Sequence, residues 1–173
     1  MGQRGARTDR EVSNVKKSAA APLNRPPSRV RVTWTGKHRF ETGRPDGPLA
    51  RIDGSSETGQ SPPDALLSAL ASCAGVDVVD ILAKRRTPVE RLVVDVEGRR
   101  RDEPPRRFEH IALTFHVDGD GVERGHVERA VSLAFEKYCS VAASLAPDIV
   151  VDTKAVVNGD EGAAIRQTMF VAT

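Results

Sequence analysis

The stretch Ser61-Pro62-Pro63-Asp64-Ala65-Leu66-Leu67-Ser68-Ala69-Leu70-Ala71-Ser72-Cys73-Ala74-Gly75-Val76-Asp77-Val78-Val79-Asp80-Ile81-Leu82 decides the fold. Ser61 is placed to cap a helix, with Pro62 at the first helical position, where its missing N–H costs nothing. Asp64, three residues on, is the acidic partner of a capping box. Leu66, Leu67, Ala69, Leu70, Ala71, Cys73, Ala74, Val76, Val78 and Val79 cover most of the helical circumference, so more than one face must leave water. A central, buried helix is expected. Lys84, Arg85 and Arg86 suit the negative end of its dipole, and Pro88 stops it.

Ahead of this helix, Val30, Val32 and Trp34 alternate with Arg31 and Thr33, the period of a half-buried strand that ends at Gly36. Further runs around His38 to Thr42 and Leu49 to Ile52 flank the turn formers Gly43-Arg44-Pro45-Asp46-Gly47-Pro48, which predicts an antiparallel meander. Beyond the helix, Leu92, Val94 and Val96 alternate in a strand ending at Gly98, and a charged loop follows from Arg99 to Arg107. Ile111, Leu113, Phe115 and Val117 make the next strand. Val127, Ala130, Val131, Ala134, Phe135 and Tyr138 recur at helical steps up to Cys139, with Ser140 to Leu145 continuing or restarting the helix. Pro147 breaks it, and Ile149 to Val157 reads as the last strand before a polar, poorly patterned C-terminus. The order βββαββαβ predicts an α+β fold without internal repeats or a glycine-rich phosphate loop.

At 173 residues the chain suits one domain, read as residues 30–158 between a basic leader, 1–29, and a tail, 159–173. Its apolar share of 39% and charged share of 29% are ordinary for a globular protein and exclude wholesale disorder. Residues 1–29 carry seven bases against Asp9 and Glu11, a sum of +5, which leaves −3 on the rest of a chain whose net charge is +2. A slightly acidic body argues against nucleic-acid binding, and the few scattered aromatics offer no stacking platform. The leader, lacking apolar periodicity and rich in proline at its end, reads as solvated and disordered. It fits neither a secretory signal, a transit peptide nor a myristoylation site. No apolar run is seen to reach the length of a membrane span. A cytoplasmic location is expected.

Cys73 and Cys139 are the only cysteines. They lack the CxxC spacing of a structural zinc site. A thiol on an apolar helix is often just a small hydrophobe. The pair is more informative: one lies midway along a buried helix, and the other lies 66 residues later near a helix break. If the helices pack together, one thiol could attack a hydroperoxide and the other capture the sulfenic acid as a disulfide. Of the four histidines, His110 and His116 share a strand face roughly 20 Å apart, too far for one metal. His38 and His126 have no ligand spacing, so neither a metal site nor a Cys-His hydrolase is indicated.

The segments Ser61-Pro62-Pro63-Asp64-Ala65-Leu66-Leu67 through Ala71-Ser72-Cys73, and Glu136-Lys137-Tyr138-Cys139-Ser140-Val141, resemble the OsmC and organic hydroperoxide resistance (Ohr) superfamily, in particular its OsmC-like branch. The resemblance covers about residues 30–158. It implies an intertwined homodimer with two central helices covered by antiparallel sheets and active sites at the subunit interface. It further implies thiol reduction of organic hydroperoxides, with Cys73 peroxidatic, Cys139 resolving, and no bound cofactor. The reductant would be an external dithiol such as dihydrolipoamide, free or on a lipoylated protein. The alternative is a non-catalytic dimer that holds a small apolar molecule between its subunits, and a third reading makes both thiols core filler.

Peroxidases of this superfamily place a glutamate ten residues before the first cysteine, paired with an arginine, and here that position is Pro63. Asp64 is the nearest acid, but nine steps of about 100° put it on the far side of the helix from Cys73, so capping explains it better. Asp77, four residues after Cys73, shares its face. Such a carboxylate either weakens the thiolate, accepts its proton beside an arginine, or serves as a polar contact across an interface. Arg39 and Arg44 lie where the family puts its catalytic arginine, and Arg39, on a predicted strand, is favoured over Arg44 in its turn.

Overall fold

The computed structural model describes residues 26–168. Of the basic leader, residues 1–25 lie outside the described residues, and 26–29 run irregularly into the first strand. The predicted meander forms as β1 (Arg31–Gly36), β2 (Arg39–Gly43) and β3 (Ala50–Asp53), an antiparallel sheet in that order. Next comes α1 (Pro62–Lys84). A second sheet takes β4 (Arg91–Arg100), β5 (Phe108–Asp118), β6 (Val150–Val157) and β7 (Asp160–Arg166) in that order. Its outer pairs are antiparallel, while β5 and β6 run parallel. A parallel pair needs a crossover. Here the crossover is α2 (Arg124–Leu133), a π-helical turn (Ala134–Tyr138) and the short α3 (Ser140–Ala143).

The core fills the space between the four-stranded sheet and the helices. Ile111, Leu113, Phe115 and Val117 point inward from β5, as the period of two demands, and meet Leu70, Ala74, Val78 and Leu82 of α1 and Val127, Ala130 and Val131 of α2. Gly98 of β4 permits this packing at one point, because a Cβ there would stand 2.4 Å from Phe108 Cε1. Ser61 caps α1 as the sequence requires. Its Oγ accepts the Asp64 N–H at 3.3 Å, and its own N–H donates to Asp64 Oδ2 at 3.1 Å.

Four features differ from the sequence expectations. Of the predicted tail, Asp160–Arg166 form β7, which pairs with β6, its charged side chains hiding the strand period because nearly every residue of it is exposed, while residues 169–173 lie outside the described residues. β4 continues past Gly98 to Arg100, into the segment read as loop. Within one chain α1 is covered on only one face. Leu66, Ala69, Ser72, Val76 and Val79, spaced three and four apart, remain exposed on the other. α1 is also long and apolar enough to cross a membrane, contrary to the expectation that no such run exists, although its inner face carries the core and Asp77 and Asp80 interrupt it.

Candidate functional site

Two separate elements deliver the two cysteines to one place. Cys73 sits midway along α1, half-buried, with its side chain packed against the core. Cys139 arrives from the helical crossover. The π turn closes with the Cys139 N–H donating to Ala134 O at 2.8 Å, and Cys139 itself turns extended at φ −68° and ψ 101°. That extra residue ends one helix and starts the next, and π turns of this kind recur at functional sites. The break turns the sulfur inward, where Cys139 is only 3% exposed and its Sγ accepts the Ala142 N–H at 3.4 Å. Because α1 packs on both the π turn and α3, the two sulfurs and a carboxylate oxygen of Asp77 all lie within 4.8 Å of one another. Both thiols are free.

The electrostatics of the three groups are unequal. Burial, followed by the neighbouring Cys73 thiol, pushes the Cys139 thiol up to about 12. Cys139 therefore stays protonated at neutral pH. Asp77 is also raised, by burial first and by the like charge of Asp80 second, and its Oδ2 is buried without a hydrogen-bond partner. A carboxyl in that condition can hold or accept a proton beside a thiol, the kind of perturbed group that marks reactive sites.

Arg39 and Arg44 are not brought to the sulfurs by their own chain. Arg39 Nε lies 3.6 Å from Asp53 Oδ2 and its Nη2 lies 3.5 Å from Glu57 Oε2, while Arg44 is exposed in the β2–β3 turn. Among the described residues neither thiol has an arginine as hydrogen-bond partner. Asp64 is occupied by its capping box. His110 and His116 sit on the outer face of β5, engaged by Asp152 at 2.8 Å and Asp95 at 3.0 Å.

Sequence reasoning passed over Asp53. Fully buried at the end of β3, it accepts the N–H and hydroxyl groups of both Ser55 and Thr58. The Thr58 hydroxyl, then the Ser55 hydroxyl, hold its carboxyl well below the usual carboxylate range. Asp53 thereby organises the loop into α1 and presents a fixed negative charge to Arg39. The run Asp53-Gly54-Ser55-Ser56-Glu57-Thr58 carried the signal, since an aspartate followed by hydroxyl residues favours such a turn.

A family model described as OsmC-like protein matches residues 54–154, which takes in α1, the π turn and both cysteines. The chain belongs to the OsmC-like family. Protein YhfA of Escherichia coli strain K12, one relative of this OsmC-like chain, is 40% identical over 117 residues, 67% of this chain and 87% of that one. The crystal structure of a hypothetical protein from Aquifex aeolicus VF5 is 30% identical, with a TM-score of 0.70 over 78% of this chain and 98% of its own. An organic hydroperoxide resistance protein OsmC from Legionella pneumophila shares the fold at a TM-score of 0.52 and 16% identity, over 76% of this chain and 96% of its own. The α+β architecture is thus that of the OsmC/Ohr proteins. Both free thiols of this OsmC-like chain, adjacent in space, lie within the span that the family model matches.

Proposed function

We propose that this OsmC-like chain reduces organic hydroperoxides through a thiol–disulfide cycle of Cys73 and Cys139. The observation that carries the reading is the asymmetry of two thiols within 4.8 Å: Cys139 is buried and held protonated, so the half-buried Cys73 is the nucleophile. As Cys73 ionises, its proton passes to the neighbouring Asp77 carboxylate; the thiolate attacks the distal peroxide oxygen, the O–O bond breaks, and the leaving alkoxide takes that proton to depart as the alcohol. The Cys139 sulfur then displaces water from the Cys73 sulfenic acid, drawing the sulfurs together to about 2.05 Å as the disulfide forms. An external dithiol such as dihydrolipoamide, free or on a lipoylated protein, restores both thiols, and no resident cofactor enters the cycle. A reducing cytoplasm suits two free cysteines of this kind.

The same reading makes the active unit a homodimer. In support, α1 leaves an apolar stripe uncovered, and the three-stranded sheet leaves Val32 and Trp34 exposed, Trp34 at 65%. A second copy laid on these faces would also supply the arginine that one chain does not bring to Cys73, with Arg39 favoured. The test is mass spectrometry of the reduced protein after one equivalent of cumene hydroperoxide. The expected product has lost two hydrogens, mapped to a Cys73–Cys139 disulfide. Cys139→Ser should stop at the sulfenic or sulfinic acid of Cys73, and Cys73→Ser should not react; wild-type turnover no faster than Cys73→Ser would end the proposal.

One observation favours a binding role instead: a cleft of about 580 Å³ lined by Ala71, Gly75, Val76, Val79, Leu92 and Val94, with Asp80 and two serines at its polar side. A protein inert toward peroxides whose melting temperature rises with small apolar ligands would replace the redox cycle with this reading.

A further inference from the structure

We propose that Cys73, Asp77 and Cys139 form a site for a thiophilic divalent cation of the zinc type. The inference rests on the same two sulfurs as the redox proposal but asks a different chemistry of them. Each of the three residues offers one donor atom, and all three atoms lie within 4.8 Å of one another. A tetrahedral zinc ion with Zn–S bonds of about 2.3 Å sets its sulfur ligands about 3.8 Å apart, so the cluster needs only a slight contraction. Cys73 and Asp77 are four residues apart on α1, the helical spacing that brings two ligands to one metal, and the extended backbone at Cys139 aims the third donor across at them.

The surroundings call for a cation. Asp77 has a buried oxygen with no hydrogen-bond partner, it makes no ion pair among the described residues, and its nearest charged influence is the like-charged Asp80. Two thiolates and a carboxylate form a donor set that selects zinc-like ions over calcium or magnesium, which prefer all-oxygen sites. Binding needs no redox step: two Zn–S bonds form as the two thiol protons leave to solvent. With three protein ligands, the fourth position stays open to water. The sequence concealed the site because its ligands come from two helices 62 residues apart, outside any local zinc motif. While the ion is bound, both sulfur lone pairs are committed and the peroxidatic thiol is masked.

The experiment titrates the reduced, metal-free full chain with Co²⁺ under argon, then displaces it with Zn²⁺ against a chromophoric chelator. One Co²⁺ per chain is expected, with intense tetrahedral d–d bands and a thiolate-to-cobalt charge-transfer band. Cys73→Ser and Cys139→Ser should each remove about half of that band, and Asp77→Asn should weaken binding at least roughly tenfold while keeping both sulfur bands. Asp77→Glu, which retains the carboxylate, guards against a folding defect by restoring affinity. Zn²⁺ should also slow alkylation of Cys73. A weak octahedral spectrum, or affinity unchanged in both Asp77→Asn and Cys139→Ser, overturns the proposal. No peroxide is present, so the two readings fail separately. A normal cobalt spectrum without peroxide-driven disulfide removes only the peroxidase, and a peroxide-driven disulfide without the cobalt spectrum removes only the metal site.

Discussion

The two sheets of this chain solve opposite problems. The four-stranded sheet β4-β5-β6-β7 closes on α1 and α2, and every inward residue of β5 from Phe108 to Val117 is buried. The three-stranded sheet closes on almost nothing: β1 is exposed along nearly its whole length, and an apolar hollow of about 410 Å³ stays open among Val32, Phe40, Thr42, Ile52, Pro62 and Ala65. One half is closed by its own chain, and the other leaves apolar side chains uncovered. The difference should appear first in the core. Phe115→Ala empties a fully buried aromatic site and should cost about 3–5 kcal/mol of unfolding free energy by urea titration. The matching truncation Trp34→Ala removes a side chain that its own chain leaves 65% exposed, so at protein concentrations low enough to keep the chain monomeric it should leave the urea midpoint nearly unmoved.

The second test acts on the open side. Val76 is 61% exposed in one chain, at the middle of the uncovered α1 stripe. If a second copy covers that stripe, Val76→Asp puts an unpaired charge into an apolar interface. The dimer dissociation constant should then rise roughly 100-fold or more in sedimentation equilibrium, with the far-ultraviolet circular dichroism unchanged. A wild-type protein that sediments as a monomer at every concentration would break the comparison, since the open sheet would then have to be stable while exposed.

How much of this was legible in the sequence follows the same division. Elements that bury one face inside their own chain announced themselves: the alternation at Leu92, Val94 and Val96, the helical recurrence from Val127 to Phe135, and the capping box of Ser61 and Asp64 all reappear in the structure, whereas Tyr138, expected on the same apolar face, is exposed at the end of the π turn. β7 was illegible because it is an edge strand whose residues are almost all exposed, so hydrophobic period carries no information about it. The all-round apolarity of α1 predicts all-round burial, whereas the chain by itself covers one side. For the candidate site, the pairing of Cys73 with Asp77 follows from helical spacing alone. Cys139 required the crossover, and its position depends on a single extra residue in a π turn that no periodicity signals. Arg39 lies on a strand that the sequence predicts, but no local pattern links it to its carboxylate partners Asp53 and Glu57, which come from the next strand and the loop beyond it.

The smallest effect concerns acid, and it distinguishes the sheets from within. Asp152 of β6 accepts from the Arg166 guanidinium of β7 and from the His110 ring of β5, at 3.0 Å and 2.8 Å. The Arg166 bond first, and His110 second, lower its carboxyl to about 2 from an ordinary value of 3.8. A depressed carboxyl stabilises the fold above its unfolded value, and that contribution disappears as pH falls from about 4 through about 2. Solvent screening at this partly exposed site keeps the loss on the order of 1 kcal/mol, to be read as a urea midpoint that drops between about pH 4 and about pH 2 in wild type and drops less in Asp152→Asn. Asp53, with four hydrogen bonds from Ser55 and Thr58, keeps its charge to more acid pH. Acid should therefore loosen β7 from the closed sheet before it disturbs the open one. Trp34, the only tryptophan, sits on the open sheet with its indole N–H donating to Lys37 O at 2.9 Å, so its fluorescence should stay constant while amide exchange at Ala164 and Arg166 accelerates. Fluorescence changing first would mean that the open sheet is the less acid-resistant of the two, and that the hydrogen bonds around Asp53 do not hold it in place.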